Sequence, residues 1–272
     1  EVIVVNTCAF IDTAKEESID AILEMAQLKR QGSCKKLVVT GCLAERYRDQ
    51  LRAEIPEIDV VLGTGEVPEI TRAIDGTQPP AAPVTLFRSR EHVTTGVGRG
   101  LSPAAAQTPT YLYDASTPRL LTTPGHYAYV KVAEGCDYSC AFCIIPTLRG
   151  HYRSRDEASI VAEATRLAAR GVRELLLISQ DTTFFGIDRG ERGALARLLL
   201  RLNDVPGLEW IRLLYLYPTT ITDDVLDAMA ECPKVCKYID LPLQHASADV
   251  LRRMRRPGSG DAYRRLLSRI RS

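Results

Sequence analysis

Several things are scarce in this sequence, and each scarcity narrows its class. No apolar stretch approaches the roughly 18 residues of a membrane helix. The longest runs, such as Leu175 to Ile178, are strand-sized, so no membrane partner is expected and the setting is taken as cytoplasmic. No basic-then-apolar leader opens the chain. It begins Glu1-Val2-Ile3-Val4-Val5, without Met and inside a strand-like run, and is expected to belong to a longer protein. Internal repeats and low-complexity tracts are missing too. Gly96, Gly98 and Gly100 form no phosphate loop, because no strand precedes them and no helix follows. The net charge of +1 names no partner by itself.

What remains is ordinary globular material. With 45% hydrophobic and 25% charged residues the composition excludes a disordered tail, a collagen-like chain and a coiled coil. A length of 272 residues suits one large or two modest domains. The charge is unevenly spread: residues 1–75 are net −5 and the remainder net +6. Residues 251–272 hold eight Arg and a single acid, Asp261. That end reads either as a solvated helix face or as a basic surface facing a ribonucleoprotein, and charge alone does not choose.

Periodicity supplies the organisation. Over 1–75 a β-branched run at 2–5 is followed by Thr13-Ala14-Lys15-Glu16, which has the form of a capping box. Ile19, Ile22, Leu23, Ala26 and Leu28 then recur at helical spacing. A strand at 37–40, a helix at 44–51, a strand at 58–62 and a helix at 67–74 complete an αβα pattern with a parallel sheet. Residues 76–123 carry Pro79, Pro80, Pro83, Pro103, Pro109 and Pro118 and read as a linker or irregular insertion. Alternation resumes over 124–272, with strands at 127–132, 174–178, 210–216 and 238–241. Helices fall at about 156–170, 191–203, 221–231 and 247–255, and another begins near Gly260. The fold class is α/β: an N-terminal αβα domain plus a partial (β/α) barrel.

The chemistry concentrates in Gly135-Cys136-Asp137-Tyr138-Ser139-Cys140-Ala141-Phe142-Cys143. Three thiols at C-x3-C-x2-C follow the first barrel strand, and barrel chemistry sits at the C-terminal strand ends. Thiolates select zinc or iron–sulfur clusters. A [4Fe–4S] cube usually takes four cysteines, so three leave one iron open to a substrate or cofactor. The alternatives are a Cys3His zinc site using His151, and an electron-transfer centre. The latter needs a fourth cysteine, yet none occurs between Cys42 and Cys136 or between Cys143 and Cys232.

This loop, with an aromatic before its last cysteine, resembles the radical S-adenosylmethionine (SAM) superfamily. Its context narrows the likeness. His126 to Cys136, Ile144-Ile145-Pro146, Arg149-Gly150 and Arg153-Ser154-Arg155 resemble the methylthiotransferases. Ser179-Gln180-Asp181-Thr182-Thr183, Leu214 to Pro218 and Asp240 to Ser247 are similar to the branch that modifies an aspartate of a small-subunit ribosomal protein, protein twelve. The sibling branch, which methylthiolates isopentenyladenosine of tRNA, tends to have Asn at the position of Asp137 and Gln-Asn where Gln180-Asp181 stand. An acidic first domain is also a poor surface for polyanionic tRNA.

The resemblance implies the rest. Cys136, Cys140 and Cys143 would hold the SAM-binding [4Fe–4S] cluster, with Phe142 and Gln180 as cofactor contacts. Cys8 in Val5-Asn6-Thr7-Cys8 and Cys42 in Thr40-Gly41-Cys42 match two of three ligands of an auxiliary [4Fe–4S] cluster. The third, the last barrel units and a small RNA-binding β-barrel lie outside the chain in the family pattern. Implied partners are the ribosomal protein or the assembling ribosome, a one-electron reductant of flavodoxin or ferredoxin type, and a sulfur donor. No acid–base residue is expected, since the β-carbon hydrogen of an aspartate is not acidic and its removal falls to the cofactors. Cys34, Cys232 and Cys236 match nothing in the family and read as small buried hydrophobes. His245 reads equally as a cofactor-side polar group or a satisfied strand-end histidine.

Overall fold

The computed structural model describes residues 1–76 and 111–272. It divides into two compact units, residues 1–111 with 147–150 and residues 112–146 with 151–272. The expected linker falls mostly on 77–110, outside the described residues; 111–123 carry no helix or strand. Among the described residues no helix is long and apolar enough to cross a membrane.

The first unit is a three-stranded parallel sheet in the order β1 (Val2–Thr7), β2 (Lys36–Gly41), β3 (Val60–Leu62). Helices α1 (Asp12–Arg30) and α2 (Cys42–Glu54) supply the crossovers, and α3 (Ile70–Asp75) follows β3. β2 is the central strand, and Leu37, Val38 and Val39 are buried. Burial on both faces explains why it reads as an uninterrupted apolar run. Two expectations for α1 fail. The helix starts at Asp12 with Ile11 as its N-cap, and no side chain caps it. Thr13 is therefore already inside the first turn, where its hydroxyl is no N-cap. The apolar stripe is also only partly used: Ile22 and Ala26 are buried, while Ile19 and Leu23 stay exposed.

The second unit is built on a parallel sheet β4 (Tyr127–Lys131), β7 (Glu174–Ile178), β8 (Trp210–Leu213), in the order β4-β7-β8. Period-two alternation decides its faces. Ala128, Leu175 and Ile211 lie in register, as do Val130, Leu177 and Leu213, and all six are buried in the core. α5 (Glu157–Ala169), α6 (Ala194–Asn203) and α7 (Asp223–Glu231) contribute Ile160, Leu167, Leu198, Leu199, Leu202, Val225 and Met229 to the same core. Asp156 caps α5 by accepting from Ser159 N at 2.9 Å, and Ser259 caps α9 (Gly260–Arg271) by accepting from Ala262 N.

The strand expected at 238–241 does not form, and β8 stops at Leu213 rather than 216. Tyr215 adopts φ +59°, a left-handed turn that no strand continues through. Its N–H donates to the Asp240 carboxylate at 2.9 Å, and Leu216 N donates to Asp240 O at 3.0 Å. Asp240 thus takes bonds that a ladder would have used. Ahead of that stretch, Val235 makes an isolated parallel bridge to Ile211. Sequence periodicity also gave no sign of the short antiparallel pair β5 (Ala133–Glu134) and β6 (Arg153–Ser154), or of α4 (Ile145–Arg149).

Candidate iron–sulfur and cofactor site

β5 ends at Glu134, and Gly135 turns the chain at φ +87° into the cysteine loop. All three cysteines there are half-buried, and none is disulfide-bonded. A short turn links Cys143 N to Cys140 O, and Ala141 N donates to Met254 O at 3.0 Å, just past α8 (Ala248–Arg253). The loop is pinned from the side as well. Tyr138 stacks on Tyr217 with ring centroids 4.0 Å apart, and its hydroxyl donates to Asp181 Oδ2 at 2.9 Å.

Asp181 is the hub of this support. It is 1% exposed, accepts from Thr183 N and Thr183 Oγ1, and takes a longer bond from Thr220 Oγ1. Burial pushes its carboxyl up, against the pull of these donors. Its backbone carbonyl accepts from Tyr152 Oη at 2.8 Å, and Tyr152 packs edge-on against Phe184. Asp137, between the first two cysteines, accepts from Tyr152 N at 3.1 Å and meets His151 Nδ1 at 2.9 Å.

The donor set can be tested against a cluster. Burial pushes the Cys136 thiol up to about 11, and Cys143 is raised for the same reason. Charge on Cys140 or Cys143 raises Cys136 further, so the thiols sense one another. Yet among the described residues no three His, Cys, Asp or Glu side chains gather around a point fit for a single ion. Tetrahedral zinc requires thiolates about 3.8 Å apart, and His151 is turned to Asp137 instead. Three half-buried thiols on one loop, none in a disulfide, are a donor set that a cluster could take once they are deprotonated. Gln180 adds a second sign of a missing group, because its Oε1 is buried with no hydrogen-bond partner. Phe142 leaves half of its surface exposed.

The other two expected ligands lie in the first unit. Thr7 and Gly41 are paired across β1 and β2, so Cys8 and Cys42 leave adjacent strands at the same sheet edge. Cys8 is exposed and Cys42 buried. Ser18 on α1 fixes the first, its Oγ accepting from Cys8 N at 3.0 Å. Gly41 is required: its φ is +99°, and a Cβ there would lie 2.4 Å from Thr7 O. Cys34 and Cys232 are buried, as expected of small hydrophobes, and Cys236 partly so. His245 accepts from Ser247 N at 2.9 Å, a local turn contact.

Tyr138, Tyr152, Tyr217 and Arg256 are the residues that sequence reasoning missed. Arg256 was grouped with the basic end of the chain, yet it is buried, with Nη1 3.9 Å from Cys140 Sγ. Its position before Pro257-Gly258 was the available signal, since a residue preceding Pro is pushed off a helix face. The remaining arginines there are surface residues; Arg252, Arg264 and Arg269 pair with Asp249, Asp261 and Asp223.

Residues 130–272 match the model of the Radical SAM superfamily, and residues 1–63 match the uncharacterized protein family UPF0004. A protein of Solibacter usitatus named ribosomal protein uS12 methylthiotransferase RimO is 50% identical over 273 residues, covering 100% of this chain and 54% of that protein. The RimO of Koribacter versatilis is 47% identical over 294 residues, covering 100% and 58%. The chain thus spans little more than half the length of the curated relatives it matches. Among solved structures, the radical SAM methyltransferase TsrM of Kitasatospora setae superposes with a TM-score of 0.67 at 18% identity, over 99% of this chain and 54% of that one.

Proposed function

The chain belongs to the radical SAM superfamily, and from that premise we propose that it is the cluster-bearing part of a methylthiotransferase acting on ribosomal protein uS12. The reaction would place a methylthio group on the β-carbon of one aspartate. The observation that carries the reading is the three-cysteine loop at the C-terminal end of the sheet, pinned by Asp137, Tyr138 and Asp181. Two of these, Asp137 and the Asp181 of Gln180-Asp181, are where the tRNA-modifying branch tends to have Asn. Identity of 47–50% to proteins named for uS12 supports the same substrate.

In this reading residues 1–75 form one domain, 124–272 the other, and 76–123 join them. Cys136, Cys140 and Cys143 hold a [4Fe–4S] cluster whose fourth iron is left for SAM. Cys8 and Cys42 supply two ligands of an auxiliary cluster. When bound, these groups would supply one-electron chemistry on SAM and the sulfur to be transferred. The chain's own residues position and shield. Tyr138, stacked on Tyr217, keeps the loop from swinging, and Asp181 anchors the Tyr138 hydroxyl. Gln180 Oε1 offers an unused acceptor to a ribose hydroxyl or to the methionyl ammonium of SAM. Phe142 lends an exposed ring next to Cys143. The substrate loop of a basic ribosomal protein also suits a first domain of net charge −5. A reductant of flavodoxin or ferredoxin type, a sulfur donor and a cytoplasmic setting complete the proposal.

The test offers both substrates to the full-length enzyme side by side, anaerobically, with reductant, SAM and sulfide. Mass spectrometry should find one methylthio group on an aspartate of uS12 and none on isopentenyladenosine tRNA. Modification of the tRNA alone would move the protein to the sibling branch.

A further inference from the structure

Arg256 stands apart from the arginines around it. It follows Arg255, which is held at φ +54°, and its own N–H donates to Leu251 O at 2.9 Å. This turn swings the side chain inward, leaving the residue 8% exposed. Nη2 donates to Pro242 O at 3.1 Å, and the guanidinium carbon sits 4.3 Å from the centroid of the Tyr217 ring. Nη1 points at Cys140 Sγ, and Nε is buried with no partner. A carbonyl, a ring face and a thiol are thus its partners, whereas Arg252, Arg264 and Arg269 each have a carboxylate. Among the described residues, no carboxylate forms an ion pair with this buried cation to offset its desolvation. The Cys140 sulfur, 3.9 Å from Nη1, can supply negative charge as thiolate or as cluster ligand.

We propose that Arg256 is a positioning residue that acts through Cys140, raising the potential at which a cluster on Cys136, Cys140 and Cys143 accepts its electron. The inference rests on the cluster reading above. In the step concerned, the oxidised cluster, [4Fe–4S]2+, takes one electron from an external reductant of flavodoxin or ferredoxin class and becomes [4Fe–4S]+. No covalent bond is made or broken. The reduced centre carries one more negative charge, so a fixed guanidinium at its ligand stabilises it over the oxidised centre. Burial strengthens the effect by lowering the local dielectric, and a hydrogen bond to the cluster sulfur acts in the same direction. Tyr217 shares in the arrangement: one face packs on Tyr138 of the cysteine loop, and its ring also lies beneath Arg256. The cation is thereby held in fixed relation to the loop it tunes.

The experiment is an anaerobic redox titration of the reconstituted chain, followed by electron paramagnetic resonance of the reduced cluster, with iron content measured alongside. Arg256→Gln keeps a polar group and removes the charge; Arg256→Lys keeps the charge. We expect R256Q to hold its iron and shift to lower potential, and R256K to stay near the parent. A parent-like potential in iron-replete R256Q overturns the proposal. If R256Q loses its iron, R256K decides: retention of iron with the parent's potential supports the charge role, and loss of iron there too overturns it in favour of shape alone. Failure of the unsubstituted chain to hold a cluster would overturn the cluster reading and this inference together, and is recognisable because it precedes any substitution.

Discussion

Asp181 puts a carboxyl where almost no water reaches it and surrounds it with hydroxyls and an N–H rather than a cation. Desolvation outweighs the donors and raises its folded pKa above the ordinary value near 4. The folded state therefore binds the proton more tightly than the unfolded state does. The resulting stabilisation is full below the unfolded pKa and is lost as pH rises through the folded one. Asp181→Asn has no such titration, so as pH rises above about 4 the parent should lose stability relative to the variant. Guanidinium unfolding followed by Trp210, the only tryptophan and a β8 residue, reads this unit; parallel pH profiles would refute it. The cysteines give a second expectation at this scale. Replacing Cys136, Cys140 and Cys143 by Ala should abolish that cluster's visible absorption and SAM cleavage together. Cleavage surviving the triple change would remove the loop from the chemistry.

At the scale of elements, the sheet edge after β1 and β2 depends on Gly41. Gly41→Ala would force a left-handed Cβ onto the Thr7 carbonyl, and should destabilise the first unit by about 2 kcal/mol or more. Amide exchange of peptides from β1 and β2 measures that, and unchanged protection would show that the edge relaxes freely. Elements with a strong period were legible in the sequence: β2, α5, α7 and β7 fall within two residues of expectation at both ends. Elements whose ends are set by tertiary bonds were not. The stretch 238–241 has the apolar alternation of a strand, but Asp240 and the turn at Tyr215 claim its hydrogen bonds. Thr13 to Glu16 has the letters of a capping box, but α1 begins two residues too early to use it. The three loop cysteines stood out because their spacing is local, whereas Cys8 and Cys42, 34 residues apart, were singled out by resemblance alone. Tyr217 and Arg256 were not, since each reaches the cysteine loop from more than 70 residues away in sequence.

Across the whole molecule, two sets of cysteines imply two different iron affinities. The barrel-side loop brings three thiols, whereas the first sheet edge brings Cys8 and Cys42 alone. Reconstitution of this chain should give about four tightly held irons, the content of one cube, and the full-length protein about twice that. Near-double occupancy in this chain would mean that another thiol substitutes, with Cys34 the candidate in the same unit. The long reach of the loop's supports also sets an order of events during synthesis. The three thiols leave the ribosome together, but Tyr217 follows much later and Arg256 trails Cys140 by 116 residues. Contacts of such high contact order close late, after the sheet and its helices have formed. A growing chain therefore holds the cysteine loop first through Asp137 and Asp181, and gains the Tyr217 and Arg256 contacts only later. Metallation that precedes the final turn at Pro257-Gly258 would meet a flexible receiver, and the same loop afterwards would be a rigid one. Ribosome-stalled chains ending on either side of Arg256 should therefore differ in how readily Cys140 is oxidised, and equal rates would show that the late contact does not shield it.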